Sequence, residues 1–255
     1  MTAPLRIAMW SGPRNISTAM MRAWENRGDC AVSDEPLYAH YLAQTGSDHP
    51  GRDEVIAAGE TDWRTVTDAL VGAVPDGQPI WYQKHMTHHL LPHIAHDWIH
   101  ALANVFLIRD PDEVVSSYLR TRDTVTPEDI GIPQERRLFD ELADRNSAAP
   151  PVIDADEFLR APEAHLRALC ERLAIPFSDR MLSWPAGPRA SDGIWAPHWY
   201  AAVWKSTGFE KPQDRSAVKL EGEAKDVSDA CREDYEFLRR HRVNVSDRLF
   251  QERSR

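Results

Sequence analysis

Between Trp10 and Ala19 the chain reads Ser11-Gly12-Pro13-Arg14-Asn15-Ile16-Ser17-Thr18, a glycine–proline break followed by a guanidinium and two hydroxyls. If a helix opens at Ser17, its first backbone N–H groups have no intrahelical partners. With Arg14, Ser17 and Thr18 they make a site for a small oxyanion. The loop is not the Gly-x4-Gly-Lys-Ser/Thr cradle of metal-triphosphate enzymes. Counted from Gly12, the second glycine becomes Ser17, the lysine Thr18 and the magnesium-holding hydroxyl Ala19. A phosphate or sulfate suits it better than a metal-bound triphosphate. Further ionisable residues stand where other apolar runs stop: Glu35 before Pro36, Lys84 and His85, and Arg109 before Asp110-Pro111. Any of Glu35, Lys84 or His85 could take a proton from an attacking group held next to the anion.

Several elements must position these residues. Leu5–Trp10, 30–33, 79–85, 104–109 and 152–154 read as strands. Ser17–Arg27, closed by Gly28, reads as a helix, and so do Trp63–Val74, the stretch opened by Asp110-Pro111 and Pro162–Leu173. Strands alternating with helices through about residue 175 give an α/β class with a parallel sheet. In such sheets ligands bind beyond the carboxyl ends of the strands, where all the residues above fall. From Asp179 onward the pattern weakens. Asp226–Arg242 reads as a helix with mostly charged faces, and Trp195, Trp199 and Tyr200 read more readily as core packing than as a ligand platform. One domain over 1–255 is expected, with a core at about 5–175 and a C-terminal extension at about 176–255.

Composition narrows the function further. The 255 residues are 42% hydrophobic with nine tryptophans, which excludes a disordered scaffold. The 30 Lys and Arg against 40 Asp and Glu leave a net charge of −10, which disfavours nucleic-acid and anionic-membrane partners. No apolar stretch approaches membrane-span length, and the N-terminus has no signal-like apolar region. Cys30, Cys170 and Cys231 are odd in number and far apart, so buried thiols in a reducing cytoplasm are expected. The run His85, His88, His89, His93 and His96 contains i,i+4 pairs, yet no acid or cysteine completes a ligand set before Asp97. Solvent-facing helix histidines, and no metal, are the expectation.

The two signatures at Arg14 and Arg109 resemble those of sulfotransferases that use 3′-phosphoadenosine-5′-phosphosulfate (PAPS). Pro13-Arg14-Asn15-Ile16-Ser17-Thr18 is similar to that family's phosphosulfate loop, departing at Asn15 and at Ile16, where glycine is usual. The apolar run Val105–Ile108, then Arg109-Asp110-Pro111, with Ser117 eight residues after Arg109, is similar to its second signature. Val152–Pro162 resembles the last core strand and its following helix. The resemblance covers about residues 5–175. It implies a P-loop-type parallel sheet of about five strands flanked by helices, with a C-terminal helical or irregular extension. It also implies a PAPS co-substrate without metal, held by Arg14, Asn15, Ile16, Ser17, Thr18, Arg109 and Ser117. The acceptor would be a hydroxyl or amine of a small molecule. Arg14, Glu35, Lys84 and His85 are then the catalytic candidates, with Glu35 preferred as base over His85. A kinase using ATP–Mg²⁺ and a nucleotide-binding module without turnover are the alternatives.

Overall fold

The computed structural model describes residues 3–145, 148–211 and 219–245. Five strands, β1 (Leu5–Ser11), β2 (Cys30–Asp34), β3 (Ile80–Met86), β4 (Ala103–Ile108) and β5 (Val152–Asp154), form one sheet in the order β2-β3-β1-β4-β5. Every pairing is parallel. The carboxyl ends therefore share one edge, and β1, which precedes the anion loop, is central. The helices in chain order are α1 (Ser17–Glu25), α2 (Tyr38–Thr45), α3 (Arg52–Ala58), α4 (Trp63–Val71), α5 (Pro111–Tyr118), α6 (Pro127–Ile130) and α7 (Ile132–Arg145). They continue with α8 (Ala155–Arg160), α9 (Pro162–Arg172), α10 (Ala196–Trp199), α11 (Ala201–Lys205) and α12 (Gly222–Arg240). The α/β reading is correct, and the strand boundaries shift by a residue or two.

Side-chain alternation along β1 divides the core in two. Ile7 and Met9 join Met20, Met21 and Trp24 of α1 and Leu166 and Leu169 of α9 on one face. Ala8 and Trp10 join Phe106, Phe139 of α7 and Leu238 of α12 on the other. Both faces are covered, which is why β4 is apolar at nearly every position.

Described residues of the expected C-terminal extension belong to this packing, among them Cys231, Tyr235, Leu238 and Val243. The predicted helix at 226–242 is α12, but its charged sequence conceals a buried stripe of Ser228, Cys231, Tyr235 and Leu238. Tyr235 donates its hydroxyl to Asp154 at 2.8 Å, and Asp154 also caps α8 by accepting from the Asp156 and Glu157 amides. The three cysteines are buried and free. Among the described residues, no helix is long and apolar enough to cross a membrane.

The histidine run is not helical. His85 lies in β3, and Thr87–His89 form one tight turn before an irregular stretch. The i,i+4 ligand spacing therefore has no helix to realise it. His85 and His89 are buried, against the expectation of solvent-facing rings.

Gly12 fixes the approach of the anion loop to its support. A Cβ there would stand 2.1 Å from the Ile130 carbonyl oxygen, a backbone atom that cannot swing aside. Gly12→Ala should therefore lower stability by about 1–3 kcal/mol, the usual range for forced overpacking. Urea unfolding of the variant beside the wild type reads it, and equal midpoints would disprove the close approach.

Candidate active site

A cavity of about 370 Å³ opens at the carboxyl edge of the sheet. Its floor is the loop from Pro13 to Ala19. Asn15 fastens that loop to the neighbouring strand, donating Nδ2 to the Leu107 carbonyl at 2.8 Å and accepting from the Ile16 amide at 2.8 Å. The Asn15 side chain is thus committed to the protein, so what it can give a ligand is reduced to its backbone. Ile16 packs against the apolar cluster around Met20 and supplies no side-chain cap to α1. The first N–H groups of α1 are left for an anion, joined by Ser17 and Thr18 in the cavity wall.

The second signature meets the first here. Arg109 donates Nη1 to the Arg14 carbonyl at 2.7 Å and Nε to Glu113 at 3.0 Å. Arg14 donates Nε to the Ser117 hydroxyl at 3.1 Å. Ser117 is buried at that contact rather than lying on a helix surface. Arg14 has no carboxylate partner among the described residues. Burial, Arg120 and Arg109 all press its pKa down from the usual arginine value. Three guanidiniums crowd one corner of a chain that is acidic overall, and among the described residues only Arg109 has an acid paired with it. A bound oxyanion would relieve that repulsion.

The opposite wall is a buried ion cluster. Lys84 donates to Asp34 at 2.8 Å, to the Tyr200 hydroxyl at 2.9 Å and to Glu35. Tyr200 in turn donates to the Asp34 carboxylate, which also accepts the Gly193 amide at 3.1 Å. Burial works against the Lys84 charge, but Asp34 and Glu35 outweigh it and hold its pKa well above the usual value. Burial pushes the Glu35 carboxyl up, Lys84 pulls it back, and Asp34 pushes it up again. Its second oxygen lies 3.9 Å from His89 Nδ1, a buried atom with no hydrogen-bond partner. Both Arg14 and Glu35 have backbones in the left-handed region, φ 57° and 44°. Of the four non-glycine residues with such backbones among those described, these two line the cavity, whereas Asp76 and Ala174 do not.

The sequence candidates separate on this geometry. Arg14, Asn15, Ile16, Ser17, Thr18, Glu35, Lys84, Arg109 and Ser117 line the cavity. His85 does not. It points to the other side of β3, stacked on Trp10 with centroids 4.4 Å apart, and burial depresses its pKa to about 3. One residue of offset on a strand reverses the face, so His85 is withdrawn from the site. The tryptophan segment expected as core instead supplies cavity wall through Trp195, Trp199 and Tyr200. Asp34, Tyr200 and His89 were not singled out as site residues. Only the position of Asp34, beside Glu35 at a strand end, offered a signal.

Comparison with known proteins agrees with the fold and gives the family. The family described as "Sulfotransferase domain" matches residues 5–227, well past the expected limit near 175. The chain is 38% identical over 208 residues to "Branched-chain-amino-acid aminotransferase-like protein 2" of Arabidopsis thaliana. It is also 38% identical over 214 residues to "Branched-chain-amino-acid aminotransferase-like protein 1" of the same plant. These matches take in 81% and 84% of the chain, but it spans only 36% and 38% of those longer proteins. Among solved structures, the "Sulfotransferase Domain from the Curacin Biosynthetic Pathway" superposes with a TM-score of 0.57 at 15% identity, covering 91% of this chain and 98% of that one. A sulfotransferase from Alicyclobacillus acidocaldarius superposes with a TM-score of 0.53 at 13% identity, covering 97% of this chain and all of that one. At these identities the likeness is one of fold.

The ion cluster makes a stability prediction. Lys84→Met leaves two buried carboxylates without their cation and should cost about 3–5 kcal/mol. Glu35 already has a raised pKa, so the variant can recover stability by protonating it in acid and loses that recovery as pH rises. Urea unfolding should show the deficit growing as pH rises above the ordinary glutamate range. A deficit independent of pH would mean that the carboxylates do not depend on Lys84.

Proposed function

The chain belongs to the sulfotransferase family, and from that premise we propose that it transfers a sulfuryl group from PAPS to a hydroxyl or amine of a small-molecule acceptor. The observation that carries this reading is the convergence of Arg14, Arg109 and Ser117 over the uncapped start of α1. The loop amides, Ser17 and Thr18 suit the 5′-phosphosulfate. Arg109 and Ser117 suit the 3′-phosphate, as the resemblance assigns them. Asn15 and Ile16 keep the loop in shape.

The acceptor oxygen or nitrogen attacks sulfur. The bond from sulfur to the 5′-phosphate oxygen breaks, and its electron pair leaves with 3′,5′-bisphosphate. Arg14 stabilises the charge that builds on that oxygen, where a preorganised cation acts most strongly. A sulfuryl group carries less charge than a phosphoryl group, so guanidiniums and backbone donors are sufficient for it. The acceptor's proton passes to the carboxylate of Glu35, the cavity-lining base candidate with a raised pKa. Lys84 holds that carboxylate in place.

An ATP–Mg²⁺ kinase needs a mobile loop lysine at the phosphates, whereas Lys84 is tied to Asp34, Glu35 and Tyr200. A cavity of about 370 Å³ favours a small acceptor. The net charge disfavours nucleic acid, and three free buried thiols fit a reducing cytoplasm.

Two experiments test this reading. By calorimetry, Arg109→Ala should weaken 3′,5′-bisphosphate binding by about tenfold or more while leaving adenosine 5′-phosphate nearly unaffected. Equal losses for both ligands would remove Arg109 from the 3′-phosphate.

In steady-state kinetics, Arg14→Ala should lower kcat by about 100- to 1,000-fold. Glu35→Gln should lower it by about 100- to 10,000-fold with the nucleotide Kd unchanged. In the wild type kcat should fall as pH drops through a pKa above the ordinary glutamate value, because the base is then protonated. Glu35→Gln should lose that acid limb. Near-wild-type turnover in Glu35→Gln with collapse in His89→Gln would give the proton to His89.

A further inference from the structure

One cation of the cavity plays no part in the scheme above. Arg122 follows α5 and lines the cavity with Tyr118 and Thr121. It donates Nη1 to the Asp48 carbonyl at 2.7 Å, and its guanidinium carbon lies 5.8 Å from the Trp199 ring centroid. It has no carboxylate partner among the described residues. Its remaining N–H groups are therefore free to bind in a half-buried position.

A continuous wall of rings joins Arg122 to Glu35. His89, 3.9 Å from Glu35, is stacked on both Tyr38 and Tyr41, with centroids 4.7 and 4.6 Å apart, so that Tyr38 and His89 meet the cavity only by small exposed margins. The Tyr38 hydroxyl meets His49 Nδ1 at 2.6 Å, and His49 packs edge-on to Trp199. The imidazoles carry no charge near neutrality: burial lowers His49 to about 4 and holds His89 well below its usual value. The wall is thus aromatic and uncharged along its length, carboxylate at one end and guanidinium at the other.

We infer that the acceptor is an anionic compound with a ring body. Its hydroxyl or amine would lie at Glu35, its ring along Tyr38 and His89, and its carboxylate on Arg122. A guanidinium's paired N–H groups match a carboxylate's two oxygens. In a chain with a net charge of −10, an unpaired cation inside a cavity attracts an anion that most of the surface would repel. This inference rests on the proposed function and names its substrate class.

The test measures binding to the full chain saturated with 3′,5′-bisphosphate, using two phenols of similar size. One is 4-hydroxyphenylacetate, an anion; the other is 4-hydroxyphenylethanol, its neutral counterpart. Wild type should prefer the anion by about 10- to 100-fold, the range for a hydrogen-bonded charged group. Arg122→Gln should abolish the preference without altering affinity for the bisphosphate or the neutral phenol, and Arg122→Lys should restore part of it. A role confined to holding Asp48 would weaken both phenols alike. Equal binding by wild type, a preference that survives Arg122→Gln, or no binding of either phenol at millimolar concentration overturns the inference and leaves the proposed function standing. Failure of the bisphosphate itself to bind overturns both.

Discussion

An ammonium group almost wholly shut off from water must have carboxylates beside it, and most of this site follows from how Lys84 meets that requirement. β3 carries the lysine and β2 ends in Asp34, with Glu35 next in the chain, so the pairing fixes the edge of the sheet at the cavity. Asp34 then reaches across to Tyr200 and the Gly193 amide, which draws residues 193–205 over the carboxyl ends of the strands. Arg22 of α1 holds the same segment through Asp192 at 2.6 Å. The cavity wall, the orientation of Glu35 and the placement of the C-terminal tryptophans are consequences of one buried charge.

On the other side of the cavity the constraint is reversed. Cations are gathered without acids, while the rest of the chain has acids to spare. Arg109 is neutralised by Glu113, but Arg14 and Arg122 are not. Left-handed backbone at Arg14 and at Glu35 adds strain where the two arrangements approach each other. The proposed transfer, from a polyanionic nucleotide to an acceptor that must lose a proton, would use both the unneutralised guanidiniums and the buried carboxylate.

The sheet, the anion loop and the Arg109–Ser117 junction were legible because each rests on local chemistry: a glycine–proline break, an apolar strand, a capped helix start. What escaped the sequence depends on pairings between distant positions. Lys84 and Tyr200 are 116 residues apart, and neither one's neighbours advertise the other. His85 shows the opposite failure. The residue type was right for a base, but strand alternation turned it into the Trp10 stack and left Glu35 and His89 facing the cavity. The histidine run read as helix because a spacing of four was visible, whereas the turn at Thr87–His89 comes from tertiary packing. In α12 the buried stripe was too narrow for its charged sequence to reveal.

The most direct measurement follows the sulfur. PAPS carrying radiolabelled sulfur, incubated with the protein, EDTA and a set of small phenols, alcohols and amines, should pass its label to an organic acceptor and release an equal amount of 3′,5′-bisphosphate. That result would establish sulfuryl transfer from PAPS that needs no dissociable metal. Label that stays on the nucleotide, leaves only as inorganic sulfate, or moves only when Mg²⁺ is restored would contradict it.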